Sequence, residues 1–305
     1  MVTKQTYPRR KAAWMKNGPL DTLGMALLYT FVTLTALMMI YPIINIFAIS
    51  LSDHVGYLKH PWMLTPSGFN LDAYDAVFRT PLIWSSYRNT IIITAAGTFL
   101  GLAATILTAY PLSRPETKGK GLIMTILIIT MVFDAGIIPN FLNINNLGLY
   151  NTFWALILPG CVSAFHCILM INFFRKVEVS LLEAAKIDGA SEPFILLRIV
   201  IPLSMPVIST IILFKAVGYW NNYFAAQIYL RSRELWPLAL LLKETLTRSL
   251  QALTQGDMSE VDLSTIPPVM LQYAMLVVSM LPIMCIYPFL QKYFAKGVIV
   301  GAVKG

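Results

Sequence analysis

Charge is scarce in this sequence. Only 12% of its 305 residues are Asp, Glu, Lys or Arg, about half the roughly 25% of a soluble domain. With 57% hydrophobic residues and a mean hydropathy of +0.66, the chain reads as an integral membrane protein. Cysteine is also rare: Cys161, Cys167 and Cys285 all fall inside apolar segments and none has ligand spacing. That excludes a disulfide framework and a metal box. There are three histidines, and only His166 sits in a span, where packing against a neighbour is as good a reading as function. No G-x4-G-K-[ST] phosphate loop occurs, and Lys118-Gly-Lys-Gly121 lacks both the spacing and the hydroxyl. No nucleophile–base arrangement is visible either, so a membrane-embedded enzyme has nothing to work with. An ion-coupled carrier would need acidic residues or a broken-helix ion site at mid-membrane, and no span holds a convincing Asp or Glu pair. The surplus of basic residues, +8 overall, would suit nucleic acid in a soluble protein. Here the basic residues flank apolar runs, which is the positive-inside pattern.

What is present is a series of apolar segments. Six spans are expected, near residues 22–49, 90–112, 122–138, 152–174, 207–230 and 269–289, in one all-α polytopic domain. Gly97, Gly101 and Ala104 give the second span a small-residue face for close helix approach. In the loop before it, Asn70 is a plausible N-cap for a short interfacial helix. Residues 139–151 form a Gly/Asn-rich return, and residues 231–268 a long polar loop, amphipathic in places. With both termini in the cytoplasm, fifteen Lys and Arg lie inside and seven outside, which favours that orientation. The sequence divides into an N-terminal tail, first span and loop (residues 1–84), a core (85–290) and a C-terminal tail (291–305). The basic start leads into an apolar run too long for a signal core, with no clear cleavage site after it.

One polar island stands out, Ser180 to Pro206, between two apolar segments. Ser180 and Glu183 have capping-box spacing, Gly189 can end a helix through a positive φ, and Ser191-Glu192-Pro193 reads as a second helix start. A helix, a turn and a helix make a knob that a partner could grip.

Glu183, Ala184, Ala185, Gly189, Ile199 and Pro202 stand in the order E-A-A-x3-G-x9-I-x-x-P, with Asp188 and Ala190 completing a D-G-A form. This pattern resembles the coupling loop of ABC-importer permeases, with Ile201 where that family usually has Leu. The run Lys215-Ala-Val-Gly-Tyr-Trp-Asn-Asn-Tyr-Phe224 resembles the Trp-Asn motif of the maltose-type sugar permeases, and the end of the chain resembles their MalG-like subunit. Met131 to Pro139 is similar to the YtcP/LplB-type members. The resemblance implies a type I permease fold with a cytoplasmic coupling-helix loop. It implies a second permease subunit, two ATPase subunits that bind ATP and Mg, and an extracytoplasmic binding protein that delivers a sugar or oligosaccharide. It implies no cofactor in this chain and a place in the bacterial inner membrane, among lipid. In those relatives the loop before the last span reaches toward the binding protein, and the tail toward the ATPase interface. Coupling would fall to Glu183, Ala184, Ala185, Asp188, Gly189, Ala190, Ile199 and Pro202. The substrate pathway would draw on Lys215, Tyr219, Trp220, Asn221, Asn222 and Tyr223, since amides pair with hydroxyls and rings cover sugar C–H faces. The residues equally allow an aromatic belt and helix-to-helix amide bonds, and an ABC permease for another solute fits as well. Asp134 and Asn140 are further candidates, which a Gly/Pro-rich turn explains equally well.

Overall fold

A computed structural model describes residues 19–255 and 268–302. The basic tail before residue 19 and Lys304 lie outside the described residues, as does the stretch 256–267 of the long loop. Among the described residues every regular element is a helix. Two compact units divide the chain between Phe69 and Asn70.

The first unit holds helix α1 (Pro19–Ser50) and the loop that follows it. The described side chains of α1 are exposed along most of its length, and among them Ala48, Ile49 and Ser50 at its end are buried. An apolar helix with no polar stripe has one comfortable medium, hydrocarbon or another apolar helix. The loop is held by side-chain bonds: Asn45 Nδ2 donates to the Met63 carbonyl at 2.8 Å. The Asp53 carboxylate accepts from the Gly56 N–H at 2.7 Å and so starts the short helix His54–Lys59.

The second unit opens with the helix Asp72–Arg79, whose first turn is tied by Asn70 Oδ1 accepting from the Asp72 N–H at 2.6 Å. Helix α2 (Pro81–Ser113) then runs for 33 residues, about 50 Å at 1.5 Å per residue. It starts nine residues before the expected span. Its buried side chains include Ile83, Ser86, Thr90, Ile93, Gly97, Gly101, Thr105, Ala109 and Leu112, steps of three and four that make one continuous face. Several later elements of this unit, Trp154–Cys161, Ala164–Phe174, Met205–Trp220 and Leu238–Gln255, pack against this helix.

Among the described residues, α1 and α2 are long and apolar enough to cross a membrane unbroken, and three further candidates are pairs of helices bent at a break. The third expected span ends early. Helix α3 (Lys120–Val132) turns by 116° into α4 (Ile137–Asn146), so the expected Gly/Asn-rich return is largely helical. The corner is an Asx turn, with Asp134 Oδ1 accepting from the Gly136 N–H at 2.6 Å while Gly136 takes φ +85°, a region that favours glycine. The fourth expected span is α5 (Trp154–Cys161) and α6 (Ala164–Phe174), bent by 43°. The fifth is α9 (Met205–Trp220), interrupted at Asn221 and resumed as α10 (Tyr223–Tyr229).

Between them lies the polar island: α7 (Val179–Ile187) and α8 (Glu192–Leu203), the latter with a wider π-type turn over Leu196–Val200. The long loop is not simply a solvated loop. It contains α11 (Leu238–Gln255), with Leu238, Leu240 and Leu241 buried. Averaged over the segment, its charged and hydroxyl residues conceal this apolar edge. The last helix, α12 (Pro268–Ala302), continues into the segment read from the sequence as the C-terminal tail, which begins at residue 291. It packs against α9, α11 and the Asp72–Arg79 helix, and the Tyr87 hydroxyl donates to its Val278 carbonyl.

Two apolar clusters organise this unit. One joins the end of α2 to α6, α7, α8 and α9 through Ala109, Leu112, Phe174, Leu182, Ile195, Val200 and Ile211. The other joins α2, α4, α5, α10 and α11 through Ile93, Ile144, Leu156, Tyr229 and Leu240. Polar ties reinforce the second: Asn89 Nδ2 donates to the Glu234 carbonyl at 2.7 Å, and Thr90 Oγ1 accepts from the Leu238 N–H at 2.8 Å. Asn151 Oδ1 accepts from the Arg231 and Ser232 N–H groups at 3.0 and 2.9 Å.

Candidate functional site

The knob is built in two halves by burial. Leu182, Ile195 and Leu196 are buried in the first apolar cluster, and Ala185, Ala190 and Ile199 pack against its edge. Glu183, Ala184, Asp188, Gly189 and Pro202 are exposed. The E-A-A pattern therefore splits: Glu183 and Ala184 face out, Ala185 faces in. The expected capping box does not form. The helix begins at Val179, one residue before Ser180, with Glu178 at the cap and no side-chain cap bond. The turn is as expected, with Gly189 at φ +79°. The Gly189 N–H bonds the Lys186 carbonyl and the Ala190 N–H bonds the Ala185 carbonyl at 2.9 Å, which satisfies the carbonyls a helix end leaves open.

A polar clamp closes the knob. Lys186 of α7 pairs with Glu192 of α8 at 2.8 Å, and the Tyr110 hydroxyl from α2 donates to the same carboxylate at 2.5 Å. The Arg114 guanidinium lies 4.5 Å from the centre of the Tyr110 ring. Hydrogen bonding to Glu192 holds the Lys186 ammonium above its ordinary pKa. The bonds from Lys186 and Tyr110 hold the Glu192 carboxyl below its own. Both side chains of the ion pair are about half exposed, so the clamp is a weak tie. Sequence reasoning missed it, because its members come from three helices.

It also missed the knob's apolar outer surface. Ile187 is 86% exposed and Phe194 52%. Both lie on the exposed part of the knob, Ile187 next to Asp188 in the chain. The available signal was Ile187 standing just past the α7 stripe of Leu182 and Ala185.

The Trp-Asn stretch is placed differently. Lys215, Tyr219 and Trp220 are buried on α9. The Lys215 ammonium donates to the Cys161 carbonyl at 2.8 Å and the Gly160 carbonyl at 3.3 Å. One turn on, the Tyr219 hydroxyl donates to the Ile157 carbonyl at 2.9 Å. Gly160 and Cys161 are at the C-terminal end of α5, where the break before α6 leaves carbonyls without helical partners. Two glycines make room for these side chains. A Cβ on Gly97 would lie 2.6 Å from the Tyr219 ring, and one on Gly101 would lie 2.7 Å from Lys215 Nζ. The small face of α2 is thus fitted to α9.

Asn221 and Asn222 sit where α9 ends. Asn221 Nδ2 donates to the Val217 carbonyl at 3.0 Å, and Asn222 Oδ1 accepts from the Ala225 N–H at 3.2 Å, capping α10. Asn221 and Tyr223 are exposed. Trp220 lines an apolar cleft of about 450 Å³ between α2, α9 and α12, with Thr94, Thr98 and Phe99 across from it. His166 stacks on Phe214, ring centres 5.9 Å apart. Among the described residues, no three His, Cys, Asp or Glu side chains gather as a metal ion requires.

Comparison with known proteins adds a lineage to this geometry. The chain is 40% identical over 292 residues to the polygalacturonan/rhamnogalacturonan transport system permease protein YtcP of Bacillus subtilis strain 168, covering 95% of this chain and 100% of that one. It is 41% identical over 267 residues to protein LplC of the same organism, covering 87% and 90%. Among solved structures, a chain of a bacterial ABC transporter involved in import of the acidic polysaccharide alginate superposes with a TM-score of 0.81 at 34% identity, over 91% of this chain and 98% of that one. A second chain, from an alginate transporter in complex with its pentasaccharide-bound periplasmic protein, shares the fold at a TM-score of 0.57 and 15% identity. Residues 97–300 match the binding-protein-dependent transport system inner membrane components, and the chain belongs to that family, with its all-α ABC-permease fold.

Proposed function

We propose that this chain is one half of a heterodimeric ABC importer permease that carries an acidic oligosaccharide, with its knob seated on an ATPase subunit. The observation that carries this reading is the split of the knob. Leu182, Ile195 and Leu196 root it in the same cluster as α2, α6 and α9, while Glu183, Ile187 and Phe194 are exposed among the described residues. A rigid, rooted and partly apolar protrusion is what a partner needs in order to move the spans by moving the knob.

In this scheme the chain crosses the membrane six times. The crossings are α1, α2, the bent pairs α3–α4 and α5–α6, then α9 with α10, and α12 the last, with both termini and the knob in the cytoplasm. ATP and Mg bind to two partner ATPases, and this chain itself is non-catalytic. A binding protein outside releases substrate toward the pathway, and closure of the ATPases rocks the spans from inward-facing to outward-facing. The acidic substrate class rests on the relatives that carry polygalacturonan, rhamnogalacturonan and alginate. Lys215 does not support it, because its ammonium is already engaged by backbone carbonyls.

The test is co-purification with the gene-neighbour proteins, followed by ATPase and uptake assays with Glu183→Ala. Association of an ATPase, with its stimulated hydrolysis lost in the variant, is the expected result. An intact chain that recruits no ATPase would sink the reading, and ion-gradient transport would then be examined.

A further inference from the structure

A lysine buried at the level of the spans without a carboxylate needs an explanation. Lys215 is 4% exposed, and neither Arg79–Asp75 nor Lys186–Glu192, two ion pairs among the described residues, involves it. Its ammonium instead faces the carbonyl end of α5, where the helix dipole concentrates negative charge. Away from water those carbonyls need donors. Lys215 supplies them from a neighbouring helix, and Tyr219 repeats the arrangement one turn on.

The connectivity gives these contacts a direction. Helix α9 leaves the knob through one sharp corner of 83° at Ser204. Ser204 is buried, and its N–H bonds the Val200 and Ile201 carbonyls. Whatever displaces α8 therefore displaces α9, and Lys215 and Tyr219 tie α9 to the break between α5 and α6. The same two side chains lie against the small face of α2, where a Cβ on Gly101 would meet Lys215 Nζ at 2.7 Å and the Cys161 carbonyl at 3.1 Å, so α2, α5 and α9 meet at one close junction.

We propose that Lys215 is a positioning residue for transport: with Tyr219 it locks the break in the fourth span onto α9, so that knob displacement reaches the break as a rigid-body movement. This rests on the coupling role proposed above for the knob. The role differs from substrate contact, and it differs from mere packing because it predicts a loss of efficiency rather than of folding.

The experiment uses the whole importer reconstituted in liposomes and compares wild type with Lys215→Met and Tyr219→Phe. Met keeps the length and apolar stem of Lys and removes the donors, and Phe removes only a hydroxyl. Two quantities are read: substrate imported per ATP hydrolysed, and the distance distribution between spin labels at positions 158 and 214, on α5 and α9, with Cys161, Cys167 and Cys285 replaced by serine. The wild type should show one narrow distance that is the same with and without ATP. Lys215→Met should broaden it and lower the import-to-hydrolysis ratio about tenfold, within the usual range of coupling energies. Tyr219→Phe should do both to a lesser degree, and it stands as the test if Lys215→Met does not assemble. A wild-type distance that changes with ATP, or a variant with narrow distance and full ratio, overturns the proposal. A wild-type chain without an associated ATPase would instead defeat the coupling reading, a separate outcome.

Discussion

The knob and the α5–α9 crossing are both built around polar residues near apolar helices, yet they spend their polar groups in opposite ways. In the knob, Glu183 and Asp188 are exposed, and apolar Ile187 is left 86% open. At the crossing, Lys215 and Tyr219 are buried and bonded to carbonyls of the same chain. The difference teaches how to separate an interface from a scaffold. If the knob meets a partner, as proposed, it leaves groups exposed for it, whereas the crossing answers its own.

Predictions that break this contrast come first. Gly97→Leu should be the most damaging, since its side chain must enter the Tyr219 ring position. Overpacking of about 3 kcal/mol is expected, read as loss of monodisperse protein in detergent. Gly189→Pro should leave the crossing intact and destroy the knob, because proline requires φ near −65° and the site stands at +79°. Transport should fall more than about tenfold while membrane levels hold, as measured by uptake and immunoblot. Ile187→Glu sharpens the contrast further. It should weaken ATPase co-purification with no change in the chain's own melting temperature, since Ile187 is 86% exposed among the described residues.

The smallest effect concerns the clamp. Glu192 has a lowered pKa, so its contribution is complete above its ordinary value of 4.5 and is lost as pH falls through the depressed one. Lys186 has a raised pKa, so its contribution is complete below 10.5 and is lost as pH rises through the raised one. Stability from this pair should be flat across neutral pH and decline only toward acid and strong alkali. Glu192→Gln should remove the acid limb at a cost of about 0.5 kcal/mol or less, measured as melting temperature against pH.

The family, the helical architecture, the knob's turn and the small face of α2 were all legible in the sequence, because each is a local pattern: an E-A-A-x3-G spacing, apolar runs, a glycine at a required φ, glycines four apart. The breaks were not. Pro159 lies inside α5 rather than at its end, and mean hydropathy over residues 152–174 does not register a bend. The tasks of Lys215 and Tyr219 were hidden for a related reason. Their partners are 54 to 62 residues away in sequence, and a backbone carbonyl has no residue type to recognise. Helix α11 was hidden by averaging, and the clamp by its origin in three separate helices.

The 54 residues between Cys161 and Lys215 also have a consequence for biogenesis. At roughly 5–20 residues per second of synthesis, the ribosome completes the fourth segment several seconds before the residue that neutralises its open end exists. Until then the half-made protein would hold bare carbonyls in or near lipid, a state a quality-control protease can recognise. Nascent chains stalled just before Met205 should accordingly be cleared faster than chains released after Tyr229, a difference that pulse-chase half-lives would show.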